Sequence, residues 1–179
     1  MDPRLLAAAY DRSAQGYDAR FRDLQRVKFR AAAKLVEPPP PGSLCLDAGG
    51  GTGLLLEWIA EEQPAWQEAR WVLLDLSLGM LKQGRTRSPL LLAADLARPP
   101  LLPRFSLVCA FTSVLTDAQR ALAALGALLL PDGQLAVSFL SDEAPSGNAL
   151  ARAAGLSLQT GGVPAGQDRL FVLRKKERS

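Results

Sequence analysis

The stretch Asp47-Ala48-Gly49-Gly50-Gly51-Thr52-Gly53, entered from the apolar run Leu44-Cys45-Leu46, decides the fold. A strand that ends at Asp47, a loop carrying four glycines and a helix that opens after it form the arrangement in which backbone approaches a ligand closely at a strand's carboxyl end. From Ser43 onward, short apolar runs alternate with helical patterns, the signature of a parallel sheet with crossover helices. Strands are expected at Leu44 to Asp47, Trp71 to Asp75, Leu90 to Ala94, Ser106 to Phe111, Gln134 to Phe139 and Leu170 to Arg174, with a weak one near Leu156 to Leu158. Helices are expected at Leu54 to Glu62, Leu78 to Gln83, Asp117 to Leu129 (capped by Thr116) and Asn148 to Ala154, with a loop around Gln63-Pro64-Ala65-Trp66. Near-continuous apolar strands fit an α/β sheet covered by helices on both faces.

Upstream of that core, Pro38-Pro39-Pro40-Pro41 cannot be helical and reads as a stiff extended connector. It divides an N-terminal helical segment, residues 1–41, from a core over residues 42–179, within a single domain overall. Asp2 and Pro3 open a first helix that Ser13 and Gly16 are expected to break. A second helix from about Ala19 to Leu35 would place Phe21, Leu24, Val27 and Ala31 against the core.

Bulk properties narrow the function classes. No stretch of the 179 residues reaches the roughly 18 uncharged apolar residues of a membrane span, and Met1-Asp2-Pro3-Arg4 lacks a signal-peptide pattern. The expectation is a cytoplasmic chain, monomeric or homodimeric. Cys45 and Cys109 both sit in apolar runs and read as buried thiols. With no histidine and no cysteine cluster a zinc site is disfavoured; only an all-oxygen magnesium site stays open. The net charge of +3 is uneven: residues 1–34 carry eight basic and four acidic groups, residues 168–179 five and two, and the stretch between eight and twelve. The basic ends fit an acidic substrate or RNA. The simpler reading is that Arg20, Arg22, Arg26, Lys28, Arg30 and Lys34 are the solvated side of a helix.

The glycine loop does not suit a dinucleotide. In the G-x-G-x-x-G/A fingerprint counted from Gly49, the sixth position is Leu54, and no Lys-Ser or Lys-Thr follows for a phosphate loop. The loop instead resembles the first motif, D-x-G-x-G-x-G, of the class I S-adenosylmethionine (SAM)-dependent methyltransferases, with Asp47, Gly49, Gly51 and Gly53 in matching positions. Leu73-Leu74-Asp75-Leu76-Ser77-Leu78-Gly79-Met80 is similar to the second motif, Ala93-Ala94-Asp95-Leu96 to the third, and Pro131-Asp132-Gly133 to the turn before the fifth strand. Tyr10-Asp11-Arg12-Ser13-Ala14-Gln15-Gly16-Tyr17-Asp18 resembles the lead-in of the group related to quinone-biosynthesis C-methyltransferases.

That resemblance implies a Rossmann-like class I fold with a mostly parallel seven-stranded sheet, and SAM as cofactor with S-adenosyl-L-homocysteine as product. It implies Asp47 at the ammonium end, Asp75 on the ribose hydroxyls, Asp95 on the adenine amino group with the Leu96 N–H on a ring nitrogen, Met80 against adenine and Tyr17 over the methionine end. Ala48, Leu76 and Phe111 complete the expected cofactor set. Methyl transfer from a sulfonium needs chiefly alignment, worth roughly 7 to 11 kcal/mol of barrier, so no catalytic side chain is required. If a base is used it is not histidine; Asp11, Asp18, Tyr10, Tyr17 and Asp117 are the open choices. The acceptor is expected at Ala110-Phe111-Thr112-Ser113-Val114-Leu115. That segment lacks the N-P-P-Y motif of amino-group methyltransferases for bases and glutamine, and Cys109 lacks the Pro-Cys context of cytosine C5 methylation. A small-molecule acceptor leads; RNA or protein methylation, or a SAM-binding module without turnover, are the alternatives.

Overall fold

A computed structural model describes residues 2–115 and 117–176. Seven strands form one sheet in the order β3-β2-β1-β4-β5-β7-β6. They are β1 (Leu44–Ala48), β2 (Arg70–Asp75), β3 (Leu91–Ala93), β4 (Phe105–Phe111), β5 (Leu129–Leu140), β6 (Ser157–Ala165) and β7 (Asp168–Arg174). The first five run parallel, and β7 runs antiparallel to both β5 and β6. The order reverses between β1 and β4, so the loops leaving their carboxyl ends diverge and open a crevice there.

Period-two alternation sorts the strand residues onto two cores. Cys45 of β1 and Leu107, Cys109 and Phe111 of β4 face α1 (Pro3–Ala33), α2 (Leu54–Glu62), α3 (Pro64–Gln67) and α4 (Leu78–Gly84). Leu46, Val108 and Ala110 point the other way, into the face covered by α5 (Ala118–Leu128) and α6 (Gly147–Ala154). Both cysteines are free and buried; burial pushes the Cys45 thiol up to about 12 and raises that of Cys109 further from the thiolate form. They are packing residues.

Four expectations are corrected. The N-terminal segment is one 31-residue helix, α1, not two. Gly16 costs a helix only about 1 kcal/mol relative to alanine, and buried Ala14, the Tyr17 and Phe21 rings with centroids 4.8 Å apart, and the anchoring of Asp11 on α4 outweigh it. Its inner face is also rotated from the expected one. Leu24 and Val27 are 43% exposed, whereas Lys28, Phe29 and Ala32 are buried; the stripe runs through Ala14, Tyr17, Phe21, Gln25 and Lys28, and its polar members line a cavity. The Gln63–Trp66 stretch is not a loop, because Pro64 opens the short helix α3 and Trp66 is clamped between Trp58 and Trp71, centroids 6.1 and 5.9 Å away. Strand β5 begins at Leu129, before the Pro131–Gly133 turn, where Asp132 has φ +61° and the ladder to β4 shifts register. Thr116, the expected cap of α5, lies outside the described residues; Asp117 accepts from the Arg120 N–H and caps that helix.

The basic face of α1 is not simply solvated. Arg22, Arg26 and Arg30 pair with Glu57, Glu61 and Glu62 of α2, and Lys28 is buried against Asp168 at 3.1 Å. Four of the six basic residues read as a solvated face are therefore matched by acidic partners in space. Among the described residues, no helix is long and apolar enough to cross a membrane.

Candidate functional site

The loops after β1, β2 and β3 and the end of β4 converge at the carboxyl edge of the sheet, and the first half of α1 crosses above them. Between them lies a cleft enclosing about 940 Å³, part of it open to solvent. Of the expected residues, Asp47, Gly49, Gly51, Asp75, Asp95 and Tyr17 line it. So do Leu76, Met80, Leu96 and Phe111.

Two expected residues do not reach the wall. Ala48 is fully buried beneath the loop, its carbonyl accepting from Ser113 Oγ at 2.7 Å. Gly53, with φ +79°, caps α2 and faces Leu73 and Arg87. The conformation of the loop needs its glycines. At Gly49, φ is +69° and an added Cβ would collide with the Ser113 side chain; at Gly50 it would collide with the Asp47 carboxylate, which lies folded beneath the loop.

The electrostatics of this cleft are one-sided. Three carboxylates line it, and no lysine or arginine does among the described residues. Asp47 is 3% exposed, and its Oδ2 has no hydrogen-bond partner. Burial, with Asp75 adding to it, pushes its carboxyl up to about 8. Asp75 is raised too, by burial, although its Oδ2 accepts from the Gly51 N–H at 2.9 Å and its Oδ1 from the Ser77 N–H at 2.8 Å. Each oxygen retains a second lone pair for a ligand. Asp95 accepts from the Ala97 N–H at 2.9 Å and holds the turn after β3.

Sequence reasoning missed the roof and the far wall. Leu6 and Ala7 of α1 close the cleft from above, beside Tyr10; Asp11 pins that part of the helix to α4, accepting from Ser77 Oγ at 2.6 Å and the Gly79 N–H at 2.7 Å. Asp11 is thus committed as a tether. Asp18 is likewise occupied, by Thr52 and Arg87, and Asp117 by the cap of α5. Burial pushes the Tyr17 phenol up to about 12 and raises that of Tyr10, so both stay neutral. None of the five open choices stands free as a base. At the end of β4, Thr112 has φ +52°, an outlying conformation for a β-branched residue, and its side chain reaches away from the cleft floor toward Lys28 and Asp168. Among the described residues, no group of three or more His, Cys, Asp or Glu side chains is placed to hold a metal ion.

With this geometry in hand, comparison with known proteins gives a consistent result. Residues 46–137 match the family model described as a methyltransferase domain. The chain is similar to the malonyl-[acyl-carrier protein] O-methyltransferase of Geobacter sulfurreducens, 32% identical over 150 residues that cover 79% of this chain and 55% of that protein. The chain therefore spans about half the length of such a relative. Its fold is similar to that of a Haloferax volcanii methyltransferase solved in complex with the Trm112 methyltransferase activator, at TM-score 0.76, 16% identity and coverage of 94% and 98% of the two chains. It is also similar to Burkholderia thailandensis 1,6-didemethyltoxoflavin-N1-methyltransferase, solved with its substrate and S-adenosylhomocysteine, at TM-score 0.68, 20% identity and coverage of 97% and 88%.

Proposed function

The chain belongs to the methyltransferase domain family, as a class I SAM-dependent methyltransferase, and on that premise we propose that it transfers the SAM methyl group to a small-molecule acceptor. The observation that carries the ligand side is the cleft with three carboxylates and, among the described residues, no facing cation. A pyrophosphate would be repelled there, whereas SAM brings a sulfonium and an ammonium. Asp47, with its unpartnered buried oxygen, takes the ammonium end. Asp75 offers its free lone pairs to the two ribose hydroxyls. Asp95 and Leu96 face the adenine edge, and Met80, which is 1% exposed, packs beside the ring. Tyr17 closes the methionine end from α1.

When bound, SAM supplies an already activated methyl group whose leaving group departs as a neutral thioether. The chain's part is alignment and exclusion of water: Leu6, Ala7 and Tyr10 cover the cleft, and Phe111 and Thr112 stand where β4 ends. No side chain needs to take a proton before the step runs. The relatives' name puts an O-methylated acceptor in view, but this chain spans about half of such a relative's length. RNA is disfavoured as acceptor because Arg22, Arg26 and Arg30 of α1 are paired to α2.

Calorimetric titration with SAM, S-adenosylhomocysteine and NAD tests this reading. Binding of both sulfur compounds and no binding of NAD is expected; failure to bind either sulfur compound overturns it.

A further inference from the structure

A second chamber opens behind the cofactor cleft, between α1 and the ends of β4, β5 and β7. The two share Tyr10, Tyr17, Gln25 and Thr112 as their common wall. Its sides are apolar, from Phe21, Leu24 and Leu140, while its floor is polar and buried. There Asp168, 1% exposed, accepts on Oδ2 from Thr112 Oγ1 at 2.5 Å and Ser138 Oγ at 2.7 Å, and pairs with Lys28 Nζ at 3.1 Å. Lys28 Nζ also donates to Thr112 Oγ1 at 2.5 Å. All the bonding of Asp168 falls on one oxygen: Oδ1 is buried and has no partner. Gln25 on the shared wall donates weakly to Tyr17 Oη, 3.4 Å away, and leaves its buried Oε1 unpartnered as well.

Resting on the methyl-transfer reading, we propose that this chamber holds the methyl acceptor and selects a neutral one that presents an O–H or N–H hydrogen on an apolar body, rejecting free carboxylates. The selection follows from what the floor has left to offer. The buried lysine is already matched by Asp168, so a carboxylate guest would bring an uncompensated charge into a site out of water. It would also meet an unpartnered carboxylate oxygen. A neutral O–H or N–H donor instead satisfies that orphan acceptor, whose unpaired state costs the empty protein free energy, whereas an ammonium, like a carboxylate, brings a charge that the balanced pair leaves unmatched. Asp168 then positions the acceptor. It holds the acceptor by its hydrogen and, through Thr112, fixes the strained turn at the boundary where the chamber meets the cofactor cleft. In the transfer the acceptor's lone pair bonds the methyl carbon, the carbon–sulfur pair stays on sulfur, and the acceptor's proton passes to the Asp168 carboxylate that holds it, to be lost to solvent after the product leaves. Arg20 also lines the chamber, its guanidinium over the Phe21 ring, 5.1 Å from its centroid.

The test uses the full chain saturated with S-adenosylhomocysteine and three probes of one shape: benzyl alcohol, benzylamine and phenylacetate, followed by ligand-observed NMR titration. Benzyl alcohol is expected to bind at least tenfold more tightly than phenylacetate or benzylamine, both of which are charged at neutral pH. Asp168→Asn leaves Lys28 unmatched and should swing the ranking at least tenfold toward phenylacetate, while Lys28→Met should swing it toward benzylamine. The wild-type ranking decides the proposal even where a variant fails to fold. A charged probe binding best to the wild type, no probe binding to the loaded protein, or a ranking unmoved in a folded variant overturns it. Calorimetry with S-adenosylhomocysteine on the same samples separates the two claims: absent cofactor binding sinks the methyl-transfer reading, whereas intact cofactor binding with the wrong ranking sinks only the chamber.

Discussion

The two chambers on either side of Tyr17 and Thr112 handle buried charge in opposite ways. The cofactor cleft gathers carboxylates with no cation among the described residues to balance them, and the acceptor chamber buries one carboxylate already matched by a lysine 3.1 Å away. The first is unbalanced until a cationic ligand arrives, so ligand binding and local stability are coupled there. The second is balanced from the start and retains only an unsatisfied acceptor. A site built for a charged ligand stores its cost in the empty state, and a site built for a neutral or donor-bearing one is largely settled beforehand.

The sharpest way to break this contrast is Asp47→Asn. The native carboxyl titrates at about 8 against 3.8 for the free group, so the unfolded chain gives up its proton first as pH rises. This group's contribution is therefore most favourable below about pH 4 and is lost progressively up to about pH 8. Asparagine removes that loss. The empty variant should be more stable than wild type at neutral pH by an amount of the order of a few kcal/mol, the gap growing from pH 4 to pH 8, while SAM affinity falls. Denaturant melts across that range check it; a variant no more stable than wild type at pH 7 would mean that the cleft carries no such strain. Next in size, Asp75→Ala should weaken SAM binding by about 1.5 to 3 kcal/mol, the scale of hydrogen bonds to a charged group. Calorimetry reads this directly, and unchanged affinity in a folded variant removes Asp75 from the site.

The same contrast explains what could be read in the sequence. The cleft is assembled from three loops, each following its own strand, so Asp47, Asp75 and Asp95 each sit in a short local pattern, and the order of those patterns along the chain identified the ligand. Strand existence was legible for the same reason: buried parallel strands are continuous apolar runs. The acceptor chamber is assembled from residues far apart in sequence. Lys28 lies on α1, Thr112 ends β4, Ser138 lies on β5 and Asp168 starts β7, and no window of sequence holds two of them. A single signal existed. The stripe Ala14, Tyr17, Phe21, Gln25, Lys28 and Ala32 has helical spacing, but its polar members made Phe21, Leu24, Val27 and Ala31 look like the better inward face. Polar residues on an inward stripe mark a cavity, which hydrophobicity alone cannot report.

Both chambers depend on α1, and the last two experiments test how that helix is held. Asp11 ties its first half to α4 through two hydrogen bonds, and the Ser77 bond first, then Gly79, lowers its carboxyl below the usual range. Its contribution is thus present above about pH 4 and fades as the pH falls through the lowered value. Asp11→Ala should cost about 1 kcal/mol, and the loosened roof should speed S-adenosylhomocysteine release in stopped-flow exchange, leaving the ranking of acceptor probes intact because the chamber's floor, Lys28, Thr112, Ser138 and Asp168, lies away from the tethered end of the helix. An altered ranking would mean that the two halves move together.

The smallest effect expected is at Gly16, midway along α1, between the roof residues Leu6, Ala7 and Tyr10 and the floor residue Lys28. A Cβ there meets nothing within 4 Å, and the residue is helical and exposed, so Gly16→Ala adds no clash. It should stabilise the fold by about 0.5 to 1 kcal/mol, chiefly by reducing the freedom of the unfolded chain. Thermal melts give the size of that gain, and exchange kinetics give its meaning. If the glycine lets the roof lift separately from the chamber wall, alanine slows S-adenosylhomocysteine release without changing the probe ranking. If α1 opens as one rod, release is unchanged although the protein melts higher, and the cleft and the chamber then share one door.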